Sequence, residues 1–286
     1  MARPDEQEGV HMAMVGCEGI VLRVRDFNEA DRILTILSAE EGKFEAVARG
    51  ARRPRSSMAG AAQLFTRANM MLFRGRSLDT LSSAEVLSTH QRVRSDLAAM
   101  AYGSYIAELS DAMTVERQPE PDVYSLVCAT IGALDRQEAR AAVVALGFEL
   151  KFLSLIGFKP ELRQCVSCGA REPAAVWFGP QEGGLLCGEC MHIDDTAVAL
   201  GDAARGLLRA LMVRPYAGLS GVGVQGEGQS YAQVRLALRR YVDQRVEKSL
   251  RTLEFINDVN SMEREETNDV EGGLGSDRQA SRKDRP

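Results

Sequence analysis

Four cysteines stand in two matched pairs, Cys165-x-x-Cys168 and Cys187-x-x-Cys190, with eighteen residues between them. Two cysteines separated by two residues can point both thiolates at one tetrahedral ion. A second pair returning from a short hairpin completes the shell. Four thiolates leave no open position for water or substrate, so a metal held there braces the chain and does not react. Zinc, one ion per chain, is the expected occupant. Trp177, Phe178 and the Gly183-Gly184 turn fit the hairpin between the two knuckles. A redox role for one pair would leave the other unexplained. His192, two residues past Cys190, reads as a bystander once four thiolates are in place. Cys17 and Cys128 stand alone in apolar surroundings and read as buried small side chains.

The second cluster is basic. The chain carries a net charge of −5, which taken whole argues against a nucleic-acid partner. That charge is unevenly divided. Between Lys43 and Arg76 lie eight basic residues and a single acid, Glu45, whereas the stretch from Asp258 to Glu271 holds six acids and one base. Arg49-Gly-Ala-Arg52-Arg53-Pro-Arg55-Ser-Ser57 is the candidate functional surface. Guanidinium forks bind phosphate oxygens bidentately, and Gly and Ser let backbone N–H groups approach. The alternative is a solvated loop, which four arginines without a neighbouring acid make the weaker reading. Phe44, Phe65 and Phe73 are available for base stacking, although a Phe in a small barrel more often belongs to the core.

Other patterns carry less. Gly221-Val-Gly223-Val-Gln-Gly226 matches GxGxxG, but no strand precedes it and no βαβ unit surrounds it, so it reads as a loop. The three histidines, His11, His90 and His192, are too scattered for a catalytic set, and His90 is expected at the surface. No carboxylate pair stands out, and no enzyme activity is expected.

The elements that must position these residues fall into two kinds. From Cys17 to about Ser83 the pattern is five short strands: Gly19–Arg25, Asp31–Leu37, Phe44–Arg49, Met70–Phe73 and Ser77–Ser83. In the first, Ile20, Leu22 and Val24 form an apolar face against Val21, Arg23 and Arg25. Such a set suits a closed five-stranded barrel of the OB-fold type. After Leu87 the pattern is helical: Asp96–Met113, a helix capped by Asp122 running to Leu134, Glu138–Ile156 ending at Gly157, Asp202–Met212 and Ser230–Leu250. The fold class is therefore α+β, an N-terminal five-stranded OB-fold β-barrel followed by an α-helical domain with an inserted four-cysteine zinc ribbon. The expected boundaries are a disordered extension over 1–14, the barrel over 15–90, helical segments over 91–160 and 196–256, the ribbon over 161–195, and a disordered charged tail over 257–286. Acids at Asp5, Glu6 and Glu8 stand where a signal peptide needs bases, and no apolar run is long enough for a membrane span. A cytoplasmic, nucleoid-associated protein is expected, where paired CxxC motifs favour metal over disulfides.

Taken in order, these residues resemble the bacterial recombinational-repair family RecO. The resemblance is carried by Glu18-Gly-Ile-Val-Leu22, Asp31-Arg-Ile-Leu34, Ala48-Arg-Gly-Ala-Arg52, and Gly147-Phe-Glu-Leu-Lys-Phe-Leu-Ser-Leu-Ile-Gly-Phe-Lys-Pro160 followed by the first cysteine pair. It spans roughly residues 15 to 255. It implies a recombination mediator in DNA repair that binds single- and double-stranded DNA and anneals complementary strands. It also implies work with RecR, contact with the C-terminal tail of single-stranded-DNA-binding protein, and help in loading RecA. Lys43, Arg49, Arg52, Arg53, Arg55, Arg74 and Arg76 are the expected DNA contacts. A zinc-ribbon nucleic-acid enzyme such as a nuclease, or a protein-interaction scaffold, are the competing readings.

Overall fold

The computed structural model describes residues 13–171, 173, 175–222, 228–257 and 259. The GxGxxG segment, the expected N-terminal extension and the charged tail fall largely outside the described residues.

Five strands close the expected barrel: β1 (Met14–Phe27), β2 (Asp31–Ser38), β3 (Gly42–Ala48), β4 (Arg67–Phe73) and β5 (Asp79–Ser88), in the order β1-β2-β3-β5-β4. β3 and β5 pair in parallel, and β1 returns to pair with β4. Val21, Leu34, Ile36, Phe44, Ala46, Met70 and Leu72 fill the interior. The first strand departs from simple alternation. A bulge between Val21 and Arg23 shifts the register, so Val21 and Val24 both pack into the barrel while Ile20 and Leu22 face outward. Those outward residues are buried too, together with Leu37 and Phe65, because a helical body covers them.

That body begins with α1 (Gln91–Ser95) and α2 (Leu97–Met113), whose N-cap Asp96 accepts from Ala99 N at 2.8 Å. α3 spans Pro121–Asp135. Asp122 does not cap it: Glu120 holds the cap position and Pro121 opens the helix, where a missing N–H has no cost. α4 (Ala141–Leu155) is apolar almost all round, and Gly157 follows it in the left-handed region at φ 93°. α5 is Asp202–Val213 and α6 is Gln229–Asp243. α6 stops well before the expected Leu250. Beyond Gln244, Arg245 lies 3.5 Å from the centre of the Tyr241 ring and donates to the carbonyl oxygens of Pro180 and Tyr241, which turns the chain aside. The chain becomes helical again over 252–257, where Glu108 of α2 accepts from Arg251 N and Thr252 N.

Between α4 and α5 lies a second sheet of four strands, β6 (Glu161–Cys165), β7 (Val176–Gly179), β8 (Gly184–Cys187) and β9 (Val198–Leu200), in the order β6-β8-β7-β9. Leu162, Val176, Phe178, Leu185, Val198 and Leu200 belong to the same continuous core as α2–α6. His90 is not at the surface. It is buried just before α1, with Nδ1 2.8 Å from the Phe65 carbonyl oxygen.

The β2–β3 hairpin and the segment after α2 lock the barrel to this body. Arg117 N donates to Lys43 O at 2.8 Å, and Gly42 lies with φ 65° directly against Gln118. A Cβ at Gly42 would sit 2.2 Å from the Gln118 carbonyl oxygen. Gly42→Ala combines left-handed strain with a backbone clash and should cost about 2–4 kcal/mol, read as a lower midpoint in denaturant melting. A second expectation concerns pH. Glu149 of α4 is buried, accepts from Tyr105 OH at 2.7 Å through one oxygen, and has no hydrogen-bond partner for the other among the described residues. Burial pushes its carboxyl from 4.5 up to about 7, against the lowering effect of the Tyr105 hydrogen bond. Between those values the folded chain holds a proton that the unfolded chain has released. Stability therefore falls as pH rises through that window, by about 3 kcal/mol in the limit. Melting of Glu149→Gln across pH 4.5 to 8 should lack this component of the slope.

Candidate nucleic-acid surface and metal centre

The eighteen residues between β3 and β4 run as successive turns laid across the β1–β2 hairpin. Small side chains make this possible: Ala51 and Ala62 close the barrel interior, and Phe65 turns into the helical core. Three anchors fix the segment, two of them in its arginine-bearing half. Gly50 N donates to Asp31 Oδ1 at 2.8 Å, Arg52 N donates to Ala30 O at 2.9 Å, and Arg32 donates to Ala62 O at 2.8 Å. The Gly50 hydrogen bond, with Arg49 and Arg53 nearby, holds the Asp31 carboxyl below its usual range.

Arg49, Arg52, Arg53 and Arg55 all come out exposed on this loop, and Arg55 occupies the left-handed region at φ 63°. Arg49, Arg53, Arg55 and the exposed Arg76 make no ion pair among the described residues. Arg52 is held loosely, its Nε 3.5 Å from Asp26 Oδ2 and its Nη1 3.3 Å from the Asn28 carbonyl oxygen. The other two expected contacts are engaged elsewhere. Lys43 pairs with Asp111 of α2 at 3.2 Å and donates to its carbonyl oxygen, so its charge is matched at the junction of barrel and helices. Arg74 pairs with Glu41 and, at 3.5 Å, with the buried carboxylate of Asp79, which Arg117 also reaches at 2.8 Å. Arg67 likewise bonds Glu18 at 2.6 Å, and Tyr124 of α3 donates to the same carboxylate. Through-space acids therefore divide a run of basic residues that the sequence presents as uniform.

The aromatics divide as well. Phe44 and Phe65 are fully buried, and Phe73 is half-buried. The exposed aromatic beside the arginines is Phe27, at the end of β1 and 40% accessible. The sequence pattern ends the first strand at Arg25 and gives Phe27 no place; an aromatic beside the turn residues Asn28 and Glu29 is the signal that could have found it.

The ribbon brings all four paired cysteines together. Their sulfurs lie within 4.8 Å of one another, with Cys168 and Cys187 Sγ 3.7 Å apart. Zinc–sulfur bonds of about 2.3 Å in a tetrahedron place sulfurs about 3.8 Å apart, so the cluster has the dimensions to hold a metal ion. Each knuckle is a tight turn. Gly169, at φ 73°, donates to Cys165 O at 2.9 Å, and Cys190 N donates to Cys187 O at 3.1 Å. Burial alone would push the Cys165 thiol up, but backbone N–H groups of Cys168, Cys187 and Ser167 bring it down to about 6. Asp194 fastens the far end, accepting from Gln181 N at 2.8 Å and from Thr196 N and Oγ1 at 2.9 and 2.6 Å. His192 is exposed and stands outside the cluster. Cys17 is buried and Cys128 largely so, and burial pushes both thiols up to about 11.

Two family models match, described as "Recombination protein O N terminal" over residues 12–90 and "Recombination protein O C terminal" over residues 94–254. Similar proteins include DNA repair protein RecO of Symbiobacterium thermophilum, 39% identical over 253 residues, covering 87% of this chain and 99% of the relative. The RecO proteins of Pelotomaculum thermopropionicum and Bacillus pumilus are 34% and 32% identical, covering 86% and 88% of this chain and 94% and 96% of the relatives.

Elemental analysis of the purified chain should find about one metal ion, and Cys165→Ser should lose it. Because metal binding supplies folding energy, that variant should melt at lower temperature than the parent. Unchanged melting would separate the cluster from stability.

Proposed function

Because the chain belongs to the RecO family of DNA repair proteins, we propose that it acts as a recombination mediator. It binds single- and double-stranded DNA through the loop after β3, anneals complementary strands, and works with RecR. With RecR it helps load RecA on DNA coated by single-stranded-DNA-binding protein, whose C-terminal tail it contacts. The observation that carries the DNA step is the exposed row Arg49, Arg52, Arg53 and Arg55 on a loop fixed by hydrogen bonds from Gly50 N to Asp31 and from Arg52 N to Ala30 O; the exposed Arg76 stands apart from it, on the turn between β4 and β5. Lys43 and Arg74 support the surface indirectly, by holding the barrel in shape.

Annealing needs no bond chemistry. Each strand carries one charge per phosphate, and repulsion between strands opposes their encounter. A basic loop that displaces counterions from both strands raises their local concentration and leaves base edges free to pair. Guanidinium groups suit this because they remain charged in any surroundings and grip two phosphate oxygens at once.

The four thiolates hold zinc in this reading. An all-sulfur tetrahedral donor set without carboxylate or imidazole suits zinc or an iron–sulfur centre, and a closed site of this kind is structural. Bound zinc supplies rigidity. Cys165, Cys168, Cys187 and Cys190 hold the ends of β6 and β8 together around the small core of Val166, Trp177 and Leu186.

Reversing Arg52, Arg53 and Arg55 to Glu should abolish DNA binding in anisotropy titrations while circular dichroism stays that of the parent. Affinity of the parent for single strands should fall with salt at a slope of about −0.7 per phosphate contacted. Undiminished affinity in the reversed variant would remove the loop from the interface.

A further inference from the structure

We propose that Phe27, beside the tip of the β1–β2 hairpin, is the platform on which an unpaired base stacks while the arginine loop holds the phosphates. The proposal rests on the DNA-binding reading above and adds a preference for single strands.

Phe27 is the last residue of β1 and pairs with Asp31 across a three-residue turn. Phe27 is 40% accessible, whereas Phe44 and Phe65 are wholly buried. The position sets it apart from scattered surface apolar residues, which need no explanation. Asn28, at φ 50°, tightens the turn directly after it. Arg52 fastens the arginine loop to that turn twice, through its backbone N–H to Ala30 O at 2.9 Å and its guanidinium to Asn28 O at 3.3 Å. Arg32 lies on the paired strand, sharing Asp26 with Arg52 at 3.4 and 3.5 Å. The turn that follows the ring is thus tied to the arginine loop by two hydrogen bonds from Arg52. In five-stranded barrels of this topology the loop between the first two strands borders the oligonucleotide site.

Every base has a π-face, so an aromatic ring beside a cationic groove binds single strands without regard to sequence. In a duplex both faces of each base are taken by neighbouring pairs, and the ring has nothing to receive. Phe27 therefore strengthens the hold on single strands only. When two held strands pair, the stacked base leaves the ring for the duplex, and the product is gripped by the arginines alone. That difference gives annealing a direction, since the protein releases what it has made.

The test uses the full chain with Phe27→Ala and Phe27→Trp, titrated against a labelled thymidine oligonucleotide and its duplex. Phe27→Ala should weaken single-strand binding by roughly ten-fold, leave duplex affinity and the salt slope unchanged, and remove the quenching of a 2-aminopurine base that the parent produces. Phe27→Trp should retain single-strand binding and quenching. Equal single-strand affinity in Phe27→Ala, or an equal loss on single strands and duplex, overturns the proposal; in the second case the ring only shapes the loop. The triple arginine reversal run in parallel separates the two readings. If it abolishes binding while Phe27→Ala changes nothing, stacking alone fails. If it too binds like the parent, the DNA reading fails with it.

Discussion

The constraint on which the molecule depends is that the outer face of β1 and β2 is apolar and must be covered. Ile20, Leu22 and Leu37 face away from the barrel interior, and with Phe65 they join the core of the helical body. Full burial of each such side chain is worth roughly 1.5–3 kcal/mol. The barrel is therefore fused to the helices by a continuous hydrophobic seam. The polar contacts at its edge, ion pairs of Lys43 and Arg23 with Asp111 and a hydrogen bond from Tyr124 to Glu18, fix orientation and add modest energy. The same seam closes part of the outer surface that a free barrel of this topology offers to ligands. The loop after β3, tied to the β1–β2 hairpin, carries Arg49, Arg53 and Arg55 exposed and without an ion pair among the described residues.

The ribbon meets the same constraint from the other side. Its sheet buries Val176, Phe178 and Leu185 in the helical core, so it is a wall of that body as well as the frame of the cysteine cluster. The cysteine cluster occupies a separate small core with Trp177 and Leu186. Among the described residues there are thus two small cores, inside the barrel and under the cysteines, and a large one in the helical body.

What the sequence revealed and what it hid divide along one line. The paired cysteines were legible because ligand spacing is local, and the five strands and most helices because periodicity is local. The bulge at Val21 was not, since it exchanges the face of Val24 for reasons that lie in the Val21 hydrogen bonds to Phe65 and Thr66. His90 looked exposed because its flanks are polar, yet it is engaged by the Phe65 carbonyl. The basic run looked uniform because Glu45 is the single acid between Lys43 and Arg76. Asp111, Glu41 and Asp79 reach Lys43 and Arg74 across space, and no one-dimensional charge count contains them. Phe27 was missed because a single aromatic at a strand end has no period to belong to.

Asp26 gives the arginine surface a further property. Its carboxylate lies between Arg32 and Arg52, at 3.4 and 3.5 Å. A guanidinium that already has a carboxylate beside it gains less from a further anion than a bare one does, because part of its field is already matched. Arg52 is in that position, whereas Arg49, Arg53 and Arg55 make no ion pair among the described residues, so neighbours on one short loop differ in how much charge they leave unmatched.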